Sequence, residues 1–196
     1  MLKTTVWFVA VLFACVWHGS SAWLFSSSSS SSGSSSGSRP RSGWPSFSQL
    51  ESNYPAYPGV FFGGRSWDEL VDDEGLPAWL KDVTDKNTCA MRVSRALTHS
   101  GRQIVPGSCN WSGVRDRERR PYIIRVGTMR CYLENQYGPA DVTGSSESSF
   151  RGKQGIIVFQ NCGFQAATGH VDLWDGSDCA GNCYFSACSN IRLFEF

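Results

Sequence analysis

Residues 87–97 read NTCAMRVSRAL, and the recurrence of apolar residues at helical spacing predicts an α-helix here. Thr88 is positioned to be its N-cap, which places Cys89 in the first helical turn. A second segment, residues 168–176, reads TGHVDLWDG and predicts a strand that carries His170. A thiol and an imidazole delivered by two different elements make a candidate nucleophile and base.

The start of a helix is a favourable place for a nucleophilic cysteine such as Cys89. The positive end of the helix dipole and the unpaired backbone N–H groups both favour the thiolate over the thiol. The same N–H groups can stabilise an oxyanion that forms beside the sulfur. The alternatives for Cys89 are a disulfide and a buried structural thiol.

Two histidines follow the N-terminal leader, and one of them can meet Cys89. His99 lies in the same predicted helix, about 15 Å from Cys89 at 1.5 Å per residue, so we interpret it as a surface helix residue. His170 is then the remaining partner, because a helix and a strand can bring distant residues together. The alternative for His170 is an ordinary strand histidine.

The N-terminal leader has the pattern of a secretory signal peptide. Lys3 precedes an apolar run over residues 6–17, and small residues follow at positions 20–22. We therefore predict a signal peptide over residues 1–22 and a secreted, extracellular protein that meets an oxidising compartment. A signal anchor is the alternative, although the apolar run is too short to span a bilayer comfortably.

The number of cysteines indicates that one thiol is left over. Cleavage of the signal peptide removes Cys15 from the eight cysteines, and the odd remainder leaves at least one without an intrachain partner. In a secreted protein this indicates intermolecular pairing or a functional thiol. Cys179 and Cys183 flank Gly181 and are interpreted as closing a short local loop. The pairing of the other cysteines stays open; these include Cys109, Cys131, Cys162 and Cys188.

The remaining sequence predicts a flexible linker and one domain. Residues 23–43 are rich in Ser and Gly and form the linker, and residues 44–196 form the domain. Ser66 and Glu69 make a capping box that predicts a short helix. Because the helices come first and the later strands have connections too short for parallel crossovers, we predict an α+β fold with an antiparallel sheet. The further elements expected are an extended run at 122–125, a helix at 128–137 and strands at 155–159, 170–174 and 191–196.

Charge and composition argue against several classes of function. Loss of residues 1–22 takes away one of the 18 basic residues, so the mature chain, with 17 acidic residues, has no net charge and does not resemble a nucleic-acid-binding protein. No later segment is predicted to enter a membrane. One available histidine and cysteines held in disulfides do not make up a set of metal ligands, so neither a metal nor a cofactor is expected.

The basic cluster at 115–120 is interpreted as a solvated loop, with an anion-binding patch as the alternative. We expect the protein to be a monomer.

The two opening segments resemble the type VI secretion amidase effector 4 family. Residues 87–101 are similar to its nucleophile helix, and residues 168–176 are similar to its histidine strand. Cys179 and Cys183 match a cysteine pair that follows the histidine in that family. The resemblance covers roughly residues 54–196 and implies a papain-like, NlpC/P60-type fold.

The resemblance also implies an activity: hydrolysis of the amide between D-glutamate and meso-diaminopimelate in peptidoglycan stem peptides. Bacterial peptidoglycan is then the expected partner. The signal peptide, the serine-rich linker and an N-glycosylation sequon at 110–112 are unlike a bacterial effector and indicate a domesticated eukaryotic relative secreted against bacteria. The alternatives are another Cys-dependent amidase or protease, and a weakly active or inactive peptidoglycan-binding domain.

One position departs from the family pattern. The resemblance implies a His-orienting Asp two positions before the second cysteine of the pair, where this chain has Gly181. Asn182 lies one position further on, and we favour it over Asp178 as the third catalytic residue, because an Asn can orient a catalytic His in papain-like enzymes. Asp172 shares the strand face of His170 and remains a further candidate.

Overall fold

The computed structural model describes the domain and little of the segment before it. Its described residues are 42–58, 64–82, 87–107, 109–165 and 167–196. The predicted signal peptide and nearly all of the predicted linker lie outside these residues. Within the described ranges, no helix combines the length and apolar character needed to cross a bilayer.

The described elements are α-helices and short antiparallel strands. The helices are α1 (Phe47–Asn53), α2 (Trp67–Glu74), α3 (Cys89–His99) and α4 (Val126–Gln136), with 3₁₀ turns at Ala78–Asp82 and Glu147–Ser149. The strands are β1 (Gly113–Arg115), β2 (Pro121–Ile123), β3 (Val142–Gly144), β4 (Gly155–Cys162), β5 (Gly169–Trp174) and β6 (Cys188–Glu195). Strands β1 and β2 form a small hairpin of their own.

The larger sheet places His170 on an edge strand. Its strand order is β3-β6-β4-β5, and every neighbouring pair is antiparallel. In the pairing of β4 with β5, Phe159 lies opposite His170. The loop that follows β5 folds back along its free edge, where the Ala180 N–H donates to the Leu173 carbonyl at 2.9 Å. This edge is therefore where a strand side chain and a loop backbone can meet.

Helix α3 is buried on most of its surface and lies at the centre of the domain. Val93 and Leu97 belong to the core that includes Val171 of β5, whereas Met91 on another face packs with Tyr122. The helix is amphipathic, yet its polar residues Arg92, Ser94 and Thr98 are buried as well. The packing therefore fixes the start of α3, and with it Cys89, against the edge strand.

The predicted class is confirmed, and several details differ. The α+β fold with an antiparallel sheet, the capping box of α2, the helix that begins at Cys89 and the strand that carries His170 are all present. The expected order of helices before strands is wrong, because the β1–β2 hairpin precedes α4. Helix α4 begins at Val126 instead of Thr128. Helix α1 is not predicted above, although Ser46 and Gln49 form a capping box at its start.

Disulfides join three pairs of cysteines in the described domain. The pairs are Cys109–Cys131, Cys162–Cys188 and Cys179–Cys183. The predicted local loop at Cys179–Cys183 is therefore confirmed. Cys162 and Cys188 are opposite each other in the β4–β6 pairing. Cys89 is the free cysteine of the described residues, in agreement with the odd count.

A buried hydroxyl joins α3 to the hairpin. Ser94 Oγ lies 2.8 Å from the carbonyl oxygen of Ala90 and 3.1 Å from that of Ile123, and it accepts the Ile123 N–H at 2.9 Å. Ser94 has no exposed surface. The hydroxyl thus satisfies backbone groups of β2 that water cannot reach.

Substitution Ser94→Ala is expected to lower the free energy of unfolding by about 1–3 kcal/mol, because the Ile123 N–H would lose its buried partner. Urea unfolding followed by tryptophan fluorescence measures this change. Ser52→Ala is the matched control, since the Ser52 hydroxyl is exposed and donates to a carbonyl of its own helix. Its effect should stay within about 0.5 kcal/mol. Equal effects of the two substitutions would contradict the role given to Ser94.

Candidate active site

Cys89 occupies the first turn of α3, where the helix start is left without a side-chain cap. Thr88 holds the N-cap position, as predicted, but its side chain makes no capping hydrogen bond. Its Oγ1 instead accepts from Arg92 Nε at 2.8 Å. The Cys89 N–H has a contact of 3.5 Å with Asn87 Oδ1, which is too long for a strong hydrogen bond. The Cys89 N–H can therefore take a stronger acceptor.

Arg92 holds residues 55–57 and Arg65, together called the covering segment, near the start of α3. Its guanidinium donates to the carbonyl oxygens of Pro55 at 2.5 Å, Ala56 at 2.9 Å and Arg65 at 2.6 Å. It also lies over the ring of Tyr57, 3.9 Å from the centroid. This role of Arg92 is not predicted from the sequence, although Arg92 is three residues after Cys89 and so shares its helix face.

Tyr57 places a phenol near the thiol. Burial is the main cause that raises the pKa of the Tyr57 hydroxyl, and the nearby charges of Cys89 and Asp172 raise it further. The hydroxyl therefore remains protonated at neutral pH. Cys89 itself is 1% exposed, so the covering segment with Tyr57 forms part of the wall around the sulfur.

His170 meets both Cys89 and a carboxylate. Its Nε2 lies 3.2 Å from Asp172 Oδ2, and the Cys89 side chain is close enough to the ring to raise its pKa. Because Nε2 faces Asp172, Nδ1 is the nitrogen left for the thiol. The ring is buried and is met edge-on by Tyr184, with a centroid distance of 4.8 Å. The predicted pair of Cys89 and His170 is brought together.

The surroundings of His170 favour its charged form. Burial alone lowers the pKa of the ring, but the hydrogen bonds to Asp172 and to Cys89, with the charges of both groups, outweigh burial and raise the pKa to about 9. At neutral pH the ring is therefore an imidazolium. Such a group stabilises an adjacent thiolate and holds a proton that it can donate.

Asp172 is the carboxylate that contacts His170, and the loop after β5 supports it. Asp172 has no exposed surface, and its Oδ2 accepts the N–H groups of Gly181 and Asn182, each at 3.0 Å. A Cβ at position 181 would lie 2.7 Å from the same oxygen and would also overlap the Tyr57 ring. Glycine at this position thus leaves the space that the Asp172 carboxylate occupies.

The other candidates for the third residue lie elsewhere around this loop. Asn182 is exposed, and the contact that it makes with Asp172 comes from its backbone N–H. Asp178 is also exposed and accepts the Cys179 N–H at 2.8 Å. Among the hydrogen bonds of the described residues, the carboxylate or amide side chain that accepts from the His170 ring is that of Asp172.

His99 lies away from this site, as predicted, but it is not an ordinary surface residue. Its Nε2 is 2.9 Å from Glu74 Oε2 and 3.3 Å from the Tyr122 hydroxyl. Glu74 is buried and also accepts from Arg95 Nε at 2.5 Å. The surface interpretation is therefore wrong: His99 belongs to a half-buried ionic cluster between α2 and α3.

The described residues offer no site for a metal ion. They contain no cluster of three or more His, Cys, Asp or Glu side chains in a suitable arrangement. The described cysteines other than Cys89 are held in disulfides. The side chains that the structure does bring together here are a thiol, an imidazole and a carboxylate.

Comparisons with known proteins agree on one family. A family model described as Type VI secretion system (T6SS), amidase effector protein 4 matches residues 86–194, which is more than half of the chain. The effector Tae4 from Salmonella typhimurium, crystallised with the immunity protein Tai4 from Enterobacter cloacae, is 28% identical, with a TM-score of 0.65 over 78% of this chain and 99% of that one. Tae4 from Enterobacter cloacae is 27% identical, with a TM-score of 0.67 over 78% and 96% of the two chains. A comparison with curated proteins found no match.

The pKa of His170 gives a test of the contact with Asp172. In the wild-type protein the ring is expected to titrate near pH 9, well above its ordinary value of 6.5. Since protonation is tighter in the folded state, the resulting stabilisation is fully present below about pH 6.5 and is lost as the pH rises through about 9. Asp172→Asn should move the midpoint to lower pH, because burial lowers the pKa of the ring and the charge of Asp172 no longer offsets it. NMR titration of the ring measures both values.

Asp178→Asn is the control for that titration, since its carboxylate contacts the Cys179 N–H. It should leave the midpoint near pH 9. A midpoint that is the same in the wild type and in Asp172→Asn would show that Asp172 does not set the charge of the ring.

Proposed function

Because the chain belongs to the type VI secretion system amidase effector 4 family, we propose that it is a cysteine amidase that hydrolyses bacterial peptidoglycan. The bond that we assign is the amide between D-glutamate and meso-diaminopimelate in the stem peptide. The observation that carries the proposal is the contact of His170 with the free thiol of Cys89 on one side and the Asp172 carboxylate on the other. The family resemblance read from the sequence is confirmed.

The first half of the reaction forms an acyl-enzyme. The Cys89 thiolate attacks the γ-glutamyl carbonyl carbon, and the carbonyl oxygen becomes an oxyanion that the Cys89 N–H stabilises. The imidazolium of His170 then donates its proton to the diaminopimelate nitrogen as the C–N bond breaks. The products are a thioester on Cys89 and a free amine, and His170 is left neutral.

The second half regenerates the thiol. Neutral His170 takes a proton from a water molecule, which attacks the thioester carbonyl and releases the glutamyl carboxylic acid. The proton returns the ring to its charged form beside the Cys89 thiolate. Asp172 holds the ring orientation throughout and favours the charged ring, which is the role of the third residue in such enzymes.

We further propose that the protein acts outside the cell that makes it. The support is the predicted signal peptide over residues 1–22 and the serine-rich linker over residues 23–43, together with the disulfides of the domain. The Tae4 effector from Salmonella typhimurium named above was crystallised with an immunity protein. For this chain the partner that we propose is peptidoglycan of the diaminopimelate type, bound by a monomer.

Digestion of purified diaminopimelate-type muropeptides tests the assigned bond. The wild-type protein should release fragments that end in D-glutamate and fragments that begin with free diaminopimelate, identified by mass spectrometry. Cys89→Ala should release neither, because the nucleophile is lost. Cleavage at the bond between muramic acid and L-alanine would redirect the assignment to another amidase. The absence of any cleavage, with the thiol shown to be reduced, would favour a binding domain.

The third residue is tested by kinetics of three variants. Asp172→Ala should lower kcat by up to about 10⁴-fold, since the His170 ring loses the side chain that orients it and favours its charged form. Asn182→Ala and Asp178→Asn should stay within a few-fold of the wild type, because their side chains do not hold the ring. A large loss in Asn182→Ala with normal activity in Asp172→Ala would restore Asn182 as the third residue.

A further inference from the structure

A cavity of about 520 Å³ lies at the start of helix α4, beside the strand that carries His170. The Cys109–Cys131 disulfide contributes both of its cysteines to the lining. The polar lining residues that matter here are Asn110, Ser112, Arg125, Thr128 and Thr168. None of the residues that line this described cavity is acidic.

The cavity is next to the catalytic residues. Thr168 is two residues before His170, so their Cα atoms are at most about 7 Å apart at the rise of an extended chain. The start of α4 is equally near, since a Cβ on Gly169 would lie 3.4 Å from Val126 Cγ1. A substrate whose carbonyl lies at Cys89 can therefore extend a short group into this cavity.

The polar groups of the cavity match a carboxylate. Arg125 is exposed, and its guanidinium has no carboxylate partner among the residues that the structure describes. Nearby arginines differ, because Arg130 and Arg192 both pair with Glu134. The hydroxyls of Ser112 and Thr128 lie 3.3 Å apart, and each can also donate to an anion. A planar guanidinium next to hydroxyl donors is well suited to a carboxylate.

We propose that this cavity binds the free α-carboxylate of the D-glutamyl residue, with Arg125 as its charged partner and Ser112 and Thr128 as hydroxyl donors. The inference rests on the proposed function and deepens it, because it assigns how the acyl side of the substrate is recognised. A D-glutamyl residue that is linked through its γ-carbonyl keeps its α-carboxylate only a few bonds from the carbon that Cys89 attacks. Arg125 then determines specificity for substrates that carry this carboxylate.

Three synthetic peptides of the sequence L-Ala–γ-D-Glu–diaminopimelate separate the possible sources of the carboxylate. One has every carboxylate free, one carries D-isoglutamine in place of D-glutamate, and one is amidated on diaminopimelate instead. The wild type should cleave the D-isoglutamine peptide with a kcat/KM about 10- to 100-fold lower, mainly through KM, because a charge-assisted hydrogen bond is lost. Amidation of diaminopimelate should have little effect.

Arg125→Gln is the decisive variant. It should cleave the free peptide and the D-isoglutamine peptide equally well, at the lower kcat/KM of the wild type on the latter. Arg151→Gln is the matched control, since it removes the same charge from an exposed residue that pairs with Glu147. It should keep the wild-type preference. Thermal unfolding of both variants confirms that they are folded.

Binding to Cys89→Ala separates failure of this inference from failure of the proposed activity. Calorimetry should show weaker binding of the D-isoglutamine peptide, and this difference should disappear in Cys89→Ala/Arg125→Gln. Cleavage of both peptides by the wild type with equal kcat/KM would overturn the subsite and leave the activity standing. Equal binding of both peptides to Cys89→Ala would also overturn it. A preference against the peptide amidated on diaminopimelate would assign the cavity to the other side of the scissile bond.

Discussion

The buried carboxylate of Asp172 is the constraint on which the rest of the site depends. An ionised group without exposed surface must be paired and hydrogen-bonded, or its burial costs several kcal/mol. Here its partners are the His170 ring and the N–H groups of Gly181 and Asn182. The Leu173 N–H donates to its other oxygen at 2.9 Å. These contacts require a loop that turns back onto β5, and the Cys179–Cys183 disulfide closes that loop.

The same constraint explains the residue at position 181. A side chain there would overlap the space of the Asp172 carboxylate and the Tyr57 ring, so glycine and the buried Asp172 depend on each other. The departure from the family pattern is therefore consistent with a carboxylate that comes from the strand instead of from the loop. On the other side of the thiol, Arg92 donates to the Thr88 hydroxyl and to carbonyl oxygens of the covering segment. The site is thus supported by backbone groups and by one buried cation.

The pair of Cys89 and His170 could be predicted because strong local signals marked both residues. Helical spacing and the odd cysteine count indicated Cys89 as the nucleophile, and the distance along α3 excluded His99 as its base. The third residue could not be predicted with the same means. Strand alternation places Asp172 on the face of His170, but the choice of Asp172 over Asn182 and Asp178 depends on how the loop after β5 returns to the edge strand, and that path could not be predicted from the sequence. The role of Thr88 was hidden for a similar reason, since a distant chain segment and Arg92 decide where its hydroxyl points.

The proposed reaction requires that the thiol of Cys89 is free and that His170 activates it. Alkylation of the native, unreduced protein with iodoacetamide at neutral pH, followed by peptide mapping, tests this most directly. Cys89 alone should be labelled, and labelling should become much slower in His170→Ala, because the thiolate loses its imidazolium partner. Labelling at the same rate in both proteins, or a Cys89 that stays unlabelled after denaturation because it is in a disulfide, would show that His170 does not activate a free thiol.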